Sequence, residues 1–99
     1  MPDDFSGQAF LVTGSTRGIG KAIAASIAKA GGSVAIHGRD LEKVQSVCEE
    51  IGSERTKAFA ADLSNPEEAS ELVKSEFNHF GRLDGVVNNA GSGRAGAFR

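Results

Sequence analysis

Cysteine, tyrosine and tryptophan are nearly absent: the 99 residues include one cysteine and neither of the two larger aromatic residues. The single cysteine, Cys48, excludes a disulfide bond within the chain and fits a reducing compartment. No apolar run approaches the roughly 18 residues that a membrane span requires. The acidic opening, Met1-Pro2-Asp3-Asp4, is unlike a signal or transit peptide. These absences predict a cytoplasmic protein.

A strong charge of either sign is also absent. The net charge is −2, and the 11 lysine and arginine residues are scattered along the chain. Because nucleic-acid binding requires a basic face, this balance argues against a nucleic-acid partner. With 39% hydrophobic residues, the composition is that of one ordinary globular domain.

Histidine, cysteine and carboxylate residues nowhere show the spacing of metal ligands, so the sequence predicts no metal site. His37 closes an apolar run, and we expect it to be a packed or surface side chain rather than a base or ligand. His79 is expected to be solvated. Cys48 falls on the apolar face of a predicted helix and should be a small buried residue.

Short apolar runs alternate with segments of helical periodicity along the chain. Strands are predicted over residues 9–12, 33–37, 57–61 and 85–89, and helices over residues 18–30, 41–51 and 66–80. Strands and helices that alternate with short loops indicate an α/β fold with a parallel sheet and right-handed crossovers.

Capping residues and glycines set the expected helix ends. Asp40 is the predicted N-cap of the second helix, and Ser64-Asn65-Pro66 begins the third. Glycines at 31, 52 and 81 are the predicted stops. The expected apolar stripes are Ile19, Ile23 and Ile27 in the first helix; Leu41, Val44, Val47, Cys48 and Ile51 in the second; and Ala69, Leu72, Val73, Glu76, Phe77 and Phe80 in the third, where only Glu76 is not apolar.

The glycine-rich turn, residues 13–20, reads Thr13-Gly14-Ser15-Thr16-Arg17-Gly18-Ile19-Gly20. Gly14 would let the chain leave the first strand sharply, Gly18 would allow a pyrophosphate to come close, and Gly20 would let the helix pack tightly. The helix start supplies free N–H donors and a partial positive charge. A turn needed only for packing is the alternative; its position between strand and helix favours nucleotide binding.

This turn, taken with Asn88-Asn89-Ala90-Gly91 and with Asp62 after the third strand, resembles the short-chain dehydrogenase/reductase family, close to its 3-oxoacyl-[acyl-carrier-protein] reductase-like members. The likeness covers residues 5–91, which match only the N-terminal, cofactor-binding part of a family member. It implies the first part of a Rossmann (doubly wound) fold, with four parallel strands in the order 3-2-1-4 and three helices. Residues 1–91 would form this NAD(P)-binding portion, and residues 92–99 are expected to be a disordered tail.

The resemblance implies NADP(H) as the cofactor. An acid at the tip of the second strand would bind the ribose 2′-hydroxyl of NAD, but this chain has Gly38 followed by Arg39 there. Arg39, together with Arg17 in the glycine-rich turn, would bind the 2′-phosphate of NADP. Asp40 fits a helix cap better than an NAD-type acid. Solvated arginines remain the alternative.

Other cofactor contacts carry over from the family residue by residue. Asp62 and Leu63 would flank the adenine, although Asp62 could instead cap the loop before Ser64. Asn88 would hold the central strands together, and Ala90 and Gly91 would face the ribose. The turn contributes Gly14, Ser15, Thr16, Arg17, Gly18, Ile19 and Gly20 to the expected cofactor-binding set.

No catalytic residue can be carried over, because the family's catalytic tyrosine, lysine, serine and asparagine lie beyond the Asn-Asn-Ala-Gly segment. The first interpretation is therefore the cofactor-binding portion of an NADP-dependent oxidoreductase that reduces a carbonyl, with 3-oxoacyl compounds as one substrate class. A small carbonyl substrate is expected to bind only when the missing C-terminal half completes the protein. Sugar, steroid or xenobiotic carbonyl reductases would look alike here. Full-length relatives are expected to form homo-oligomers. The alternatives are a non-catalytic nucleotide-binding or subunit-interaction module, and an inactive truncated product that cannot turn over alone.

Overall fold

A computed structural model describes residues 5–89 of the chain. Its elements alternate along the sequence: β1 (Ala9–Val12), α1 (Gly18–Lys29), β2 (Ser33–Gly38), α2 (Leu41–Ile51), β3 (Thr56–Ala60), α3 (Pro66–Phe80) and β4 (Gly85–Val87). The predicted residues Ala90 and Gly91, and the predicted tail, lie outside this range. No helix within the range is long and apolar enough to cross a membrane.

The four strands form one parallel sheet in the order β3-β2-β1-β4, as the resemblance implied. β1 lies in the interior of the sheet, with Leu11 opposite Ala35 of β2 and Val86 of β4. Because all strands run the same way, their carboxyl ends meet at one edge. The ladder places the glycine-rich turn, the end of β2 and the end of β3 side by side.

Helices cover both faces of the sheet, two on one face and one on the other. α1 and α2 pack over Val12, Val34 and Ile36, which belong to one buried cluster. α3 contributes Leu72 to a second cluster with Leu11 on the opposite face. The apolar side chains of β1 and β2 therefore alternate between two cores, the pattern expected of strands that are buried on both faces.

Local capping residues define two of the helices as the sequence predicted. Asp40 caps α2 by accepting a hydrogen bond from the Glu42 N–H at 3.0 Å, and Asn65 caps α3 through the N–H groups of its first turn. Gly52 and Gly81 end these helices in the left-handed conformation, which glycine adopts without steric cost.

The prediction of the α1 face was wrong at Ile19, which is 72% exposed. A repeat of four residues exceeds the 3.6-residue turn, so Ile19 lies about 80° around the helix from Ile27. Ile27 is buried as predicted, and the other buried residues of α1 are Gly20, Ala24 and Ala28. Leu41 and Val73 are also exposed, contrary to the predicted stripes.

Strand ends differ from the prediction by one or two residues. β4 ends at Val87 rather than at residue 89, because Asn89 leaves the ladder and donates its N–H to the Thr13 hydroxyl. β2 includes Gly38, and β3 starts and ends one residue earlier than expected. Phe77, which belongs to the predicted stripe of α3, and Val86 of β4 are more than half exposed.

Candidate functional site

A cleft of about 1040 Å³ lies where the carboxyl ends of the strands meet the start of α1. Nine of the predicted site residues line this strand-end cleft: Gly14, Thr16, Arg17, Gly18, Ile19, Arg39, Asp62, Leu63 and Asn88. Ligands of open α/β sheets bind in this position, outside the carboxyl ends of the strands. The site therefore gathers residues from four separate segments of the chain.

The start of α1 lacks a side-chain cap, unlike the other two helices. Its N-cap residue is Arg17, whose side chain makes no capping hydrogen bond, and its first turn contains no acidic residue. The backbone N–H groups of this turn thus keep the partial positive charge of a helix N-terminus. An anion bound in the strand-end cleft would find these donors available.

Two glycines shape this end of the helix in different ways. Gly18 has φ +63° and open space where a Cβ would stand, so the backbone there is accessible from the cleft. At Gly20 a Cβ would collide with the Gly14 carbonyl oxygen and with Asn89. Gly18 therefore allows close approach from outside, whereas Gly20 allows α1 to pack tightly on the turn.

Ser15 and Gly20 lie beneath the turn rather than on its surface. The Ser15 side chain is fully buried, and its hydroxyl donates to the Val12 carbonyl oxygen at 2.8 Å. The same hydroxyl accepts from the His37 N–H at 2.8 Å. Both residues support the shape of the turn from the protein side.

The two arginines of the predicted cofactor site are exposed and line the same cleft. Arg17 belongs to the glycine-rich turn and Arg39 follows β2. Neither forms a salt bridge with another residue of the described range, where the ion pairs are Lys21–Glu50 and Arg82–Asp84. Asp40 does not line the cleft, because its carboxylate caps α2. The tip of β2 therefore presents a free positive charge to the cleft.

Asp62 caps the loop before Ser64, which is the alternative role that the sequence left open for it. Its Oδ1 accepts hydrogen bonds from the Ser64 hydroxyl at 2.7 Å and from the Ser64 N–H at 3.0 Å. These bonds lower the pKa of Asp62, and the nearby Arg39 guanidinium lowers it further. Because both bonds use Oδ1, Oδ2 can still accept a hydrogen bond from a ligand.

The end of β4 is joined to the turn chiefly through Asn89. Its N–H donates to the Thr13 hydroxyl at 2.8 Å, and its Nδ2 donates to the Gly14 carbonyl oxygen at 3.1 Å. Asn88 makes a weaker contact, in which its Oδ1 accepts from the Thr13 hydroxyl at 3.4 Å. Both asparagines therefore bond to Thr13, and Asn89 makes the shorter bond.

Five residues line the cleft that the sequence analysis did not include among the site residues: His37, Gly38, Ser64, Ala69 and Asn89. The sequence does offer one indication that His37 and Gly38 belong to the site. Both lie at the end of a predicted buried strand, and strand ends form such sites. A Cβ at Gly38 would lie 2.7 Å from Cγ2 of Thr16, so the turn packs closely against the end of β2 at this glycine.

A second, smaller cleft lies between α1 and the end of α2. It contains the Lys21–Glu50 ion pair, with Nζ 2.6 Å from Oε2. Its charges are mixed, and the sequence analysis singled out none of its residues. No group of histidine, cysteine and carboxylate residues within residues 5–89 could hold a metal ion.

Comparison with known proteins agrees with this geometry. A family model described as short chain dehydrogenase matches residues 8–99. The chain belongs to the short-chain dehydrogenase family. The resemblance given by the glycine-rich turn and the Asn-Asn-Ala-Gly segment is thereby confirmed at the level of the family.

Individual relatives cover most of this chain but a minor part of their own length. The hydroxynaphthalene reductase-like protein Arp2 of Metarhizium guizhouense is 43% identical, over 92% of this chain and 35% of the relative. A metagenomic short-chain oxidoreductase solved in complex with NADP has a TM-score of 0.81 at 40% identity, over 88% of this chain and 40% of that one. A 3-ketoacyl-(acyl-carrier-protein) reductase from Brucella melitensis, complexed with NADH, has a TM-score of 0.77 at 32% identity, over 82% of this chain and 33% of that one.

Proposed function

We propose that this chain is the NADP(H)-binding portion of a short-chain oxidoreductase that reduces a carbonyl compound. The observation that carries the proposal is the uncapped start of α1, which faces a cleft lined by two exposed, unpaired arginines. A dinucleotide with a third phosphate matches this combination, because it presents anionic groups both to the helix start and to the tip of β2.

The residues present fit such a cofactor. The N–H groups at the start of α1 would bind the pyrophosphate, with Gly18 leaving room for its approach. Arg39 and Arg17 would bind the 2′-phosphate through charge-assisted hydrogen bonds. Oδ2 of Asp62 would accept from the adenine amino group while Oδ1 stays bonded to Ser64. When bound, the nicotinamide supplies the hydride for reduction of the carbonyl.

The preference for NADP over NAD follows from the charge at the end of β2. An acidic side chain there would accept from a ribose 2′-hydroxyl and repel a 2′-phosphate. Gly38 and Arg39 occupy this place, and the neighbouring Asp40 is used as a helix cap. One of the similar structures holds NADP and another holds NADH, so the family alone does not decide the preference.

The proposal extends to the substrate class, assembly and location of the complete protein. The reductases named above act on different compounds, and we keep 3-oxoacyl compounds as one candidate class for the complete protein. The 99 residues contain no tyrosine, the acid of the family's reaction. We propose cofactor binding as the role of these residues, and a cytoplasmic location and homo-oligomers for the complete enzyme.

Binding titrations with NADPH and NADH test the proposal. NADPH should bind more tightly than NADH, and Arg39→Ala should weaken NADPH binding about tenfold while changing NADH binding little. Arg17→Ala should act in the same direction. Lys74→Ala, which removes an exposed positive charge from α3, is the control for net charge and should leave both affinities unchanged.

Two results would contradict the proposal. Equal affinity for the two cofactors would refute the assignment of the arginines to the 2′-phosphate. A folded chain that binds neither cofactor would refute the binding function itself.

A further inference from the structure

The His37 side chain joins three segments of the strand-end cleft. It is 2% exposed, and its Nδ1 accepts a hydrogen bond from the Gly14 N–H at 2.9 Å. Its Nε2 lies 3.0 Å from the Ala61 carbonyl oxygen. One imidazole ring therefore connects the glycine-rich turn to the end of β2 and to the residue that follows β3.

These two partners fix the protonation state of the ring. The Gly14 N–H can only donate, so Nδ1 must be unprotonated; the Ala61 carbonyl can only accept, so Nε2 must carry the hydrogen. The ring is thus neutral. Burial lowers the pKa of His37, and the bond to Ala61 opposes that change in part.

The backbone of His37 also holds the turn. Its carbonyl oxygen accepts from the Ser15 N–H at 2.8 Å, and its N–H donates to the Ser15 hydroxyl at 2.8 Å. Gly14 and Ser15, two consecutive residues of the turn that follows β1, are therefore both bonded to His37. Only the bond from the ring to Gly14 can be lost by adding a proton.

We propose that His37 is a positioning residue for cofactor binding, and that its neutral ring holds the glycine-rich turn in the conformation that accepts the cofactor. A proton on Nδ1 would point at the Gly14 N–H, so the two donors would repel and Gly14 would lose its bond to the ring, while the bonds between Ser15 and the His37 backbone would remain. Affinity for the cofactor then falls as the pH drops through the range in which the ring becomes charged. This inference rests on the proposed binding of NADP(H).

Charged groups and the cofactor itself bear on how a pH dependence of binding is interpreted. Arg17 on the turn, Arg39 after β2 and Asp62 after β3 line the cleft beside His37, and none is hydrogen-bonded to its ring. Burial, rather than these charges, is what lowers the pKa of His37. The 2′-phosphate of the cofactor itself titrates near pH ~6, as phosphate monoesters do, and also weakens binding in acid. A variant without a titrating ring is needed to separate the two effects.

His37→Asn is that variant. Its Oδ1 stands two bonds from Cβ, as Nδ1 of histidine does, and can accept from the Gly14 N–H without titrating. NADPH affinity is measured for the 99-residue chain and for this variant from pH 8 down to the lowest pH at which both stay folded, because burial lowers the pKa of His37 below the ordinary value for histidine. Below the pKa of the ring, the wild-type affinity should fall up to about tenfold more per pH unit than that of His37→Asn, the limit for one linked proton. His79→Asn, at the exposed histidine of α3, should keep the wild-type profile.

Nitrogen NMR of the wild-type chain gives a second measurement that does not depend on the variant folding. The ¹⁵N shifts of the His37 ring should show an unprotonated Nδ1 at pH 8, and the Gly14 amide should titrate together with the ring. Equal pH profiles for wild type and His37→Asn would overturn the inference, as would a ring protonated on Nδ1. A folded chain that binds no NADPH at any pH would refute the proposed function instead, and the co-titration of Gly14 would still decide whether His37 holds the turn.

Discussion

A Cβ atom on Gly20 would lie 2.5 Å from Nδ2 of Asn89, because the first turn of α1 crosses the end of β4. The Asn89 amide group donates in turn to the Gly14 carbonyl oxygen. Helix, glycine-rich turn and strand end thus meet at one point that has no room for a methyl group. The shape of the strand-end cleft depends on this contact.

Gly20→Ala should therefore destabilise the protein and weaken NADPH binding. Overpacking of this kind costs about 1–3 kcal/mol in the free energy of unfolding, whereas helix propensity alone would make the same change stabilising by about 1 kcal/mol. Urea unfolding and NADPH titration measure the two effects. Ser26→Ala, at an exposed position of the same helix, is the matched control. A gain in stability for Gly20→Ala would show that α1 and β4 are not in contact.

Asp40→Ala distinguishes a helix cap from a cofactor ligand. Loss of the bond to the Glu42 N–H should cost about 1 kcal/mol of stability, while the ratio of NADPH to NADH affinity should stay the same. Asp40→Ser keeps a capping oxygen and should restore most of the stability. If Asp40→Ala reduced NADH binding selectively, the carboxylate would be contacting the ribose, and our interpretation of the β2 tip would be wrong.

Glu76 is a buried carboxylate of α3 for which the described residues offer no hydrogen-bond partner. Burial raises its pKa, and the negative charge of Asp84 adds to the effect. The folded state thus binds its proton more tightly than the unfolded state does, so stability falls as the pH rises from about 4.3, the ordinary pKa of glutamate, through the raised folded value.

Glu76→Leu should remove this loss. At pH 7 the variant should be more stable than wild type by about 1–3 kcal/mol, the penalty for a buried group without a partner. Urea unfolding at pH 5 and pH 8 should show a smaller pH dependence in the variant. Glu71→Leu, at an exposed site on the same helix, is the comparison. A destabilised Glu76→Leu would mean that the carboxylate makes a favourable contact.

Features set by neighbouring residues could be predicted from the sequence. The ends of two helices lie where expected, because capping depends on atoms within one turn. These helices begin after Asp40 and Asn65 and end at Gly52 and Gly81. The strand order followed from the family resemblance and agrees with the structure.

Features that depend on distant contacts could not be predicted. Asn89 leaves β4 early to bond to Thr13 and Gly14. The sequence could not predict this strand end because both partners are more than seventy residues away. The bonds from His37 to Gly14 and Ala61 likewise need three segments brought together by the sheet. Sequence spacing identified the glycine-rich turn, but the residue that holds it became visible only in three dimensions.

The most direct test of the account is an amide NMR titration of the ¹⁵N-labelled chain with NADPH. We predict that the largest shifts occur at Gly18 and Ile19 and at the side chains of Arg17 and Arg39, with smaller changes at those arginines when NADH replaces NADPH. Shifts confined to the cleft around Lys21 and Glu50, or their absence from the start of α1, would contradict the binding site proposed for this chain.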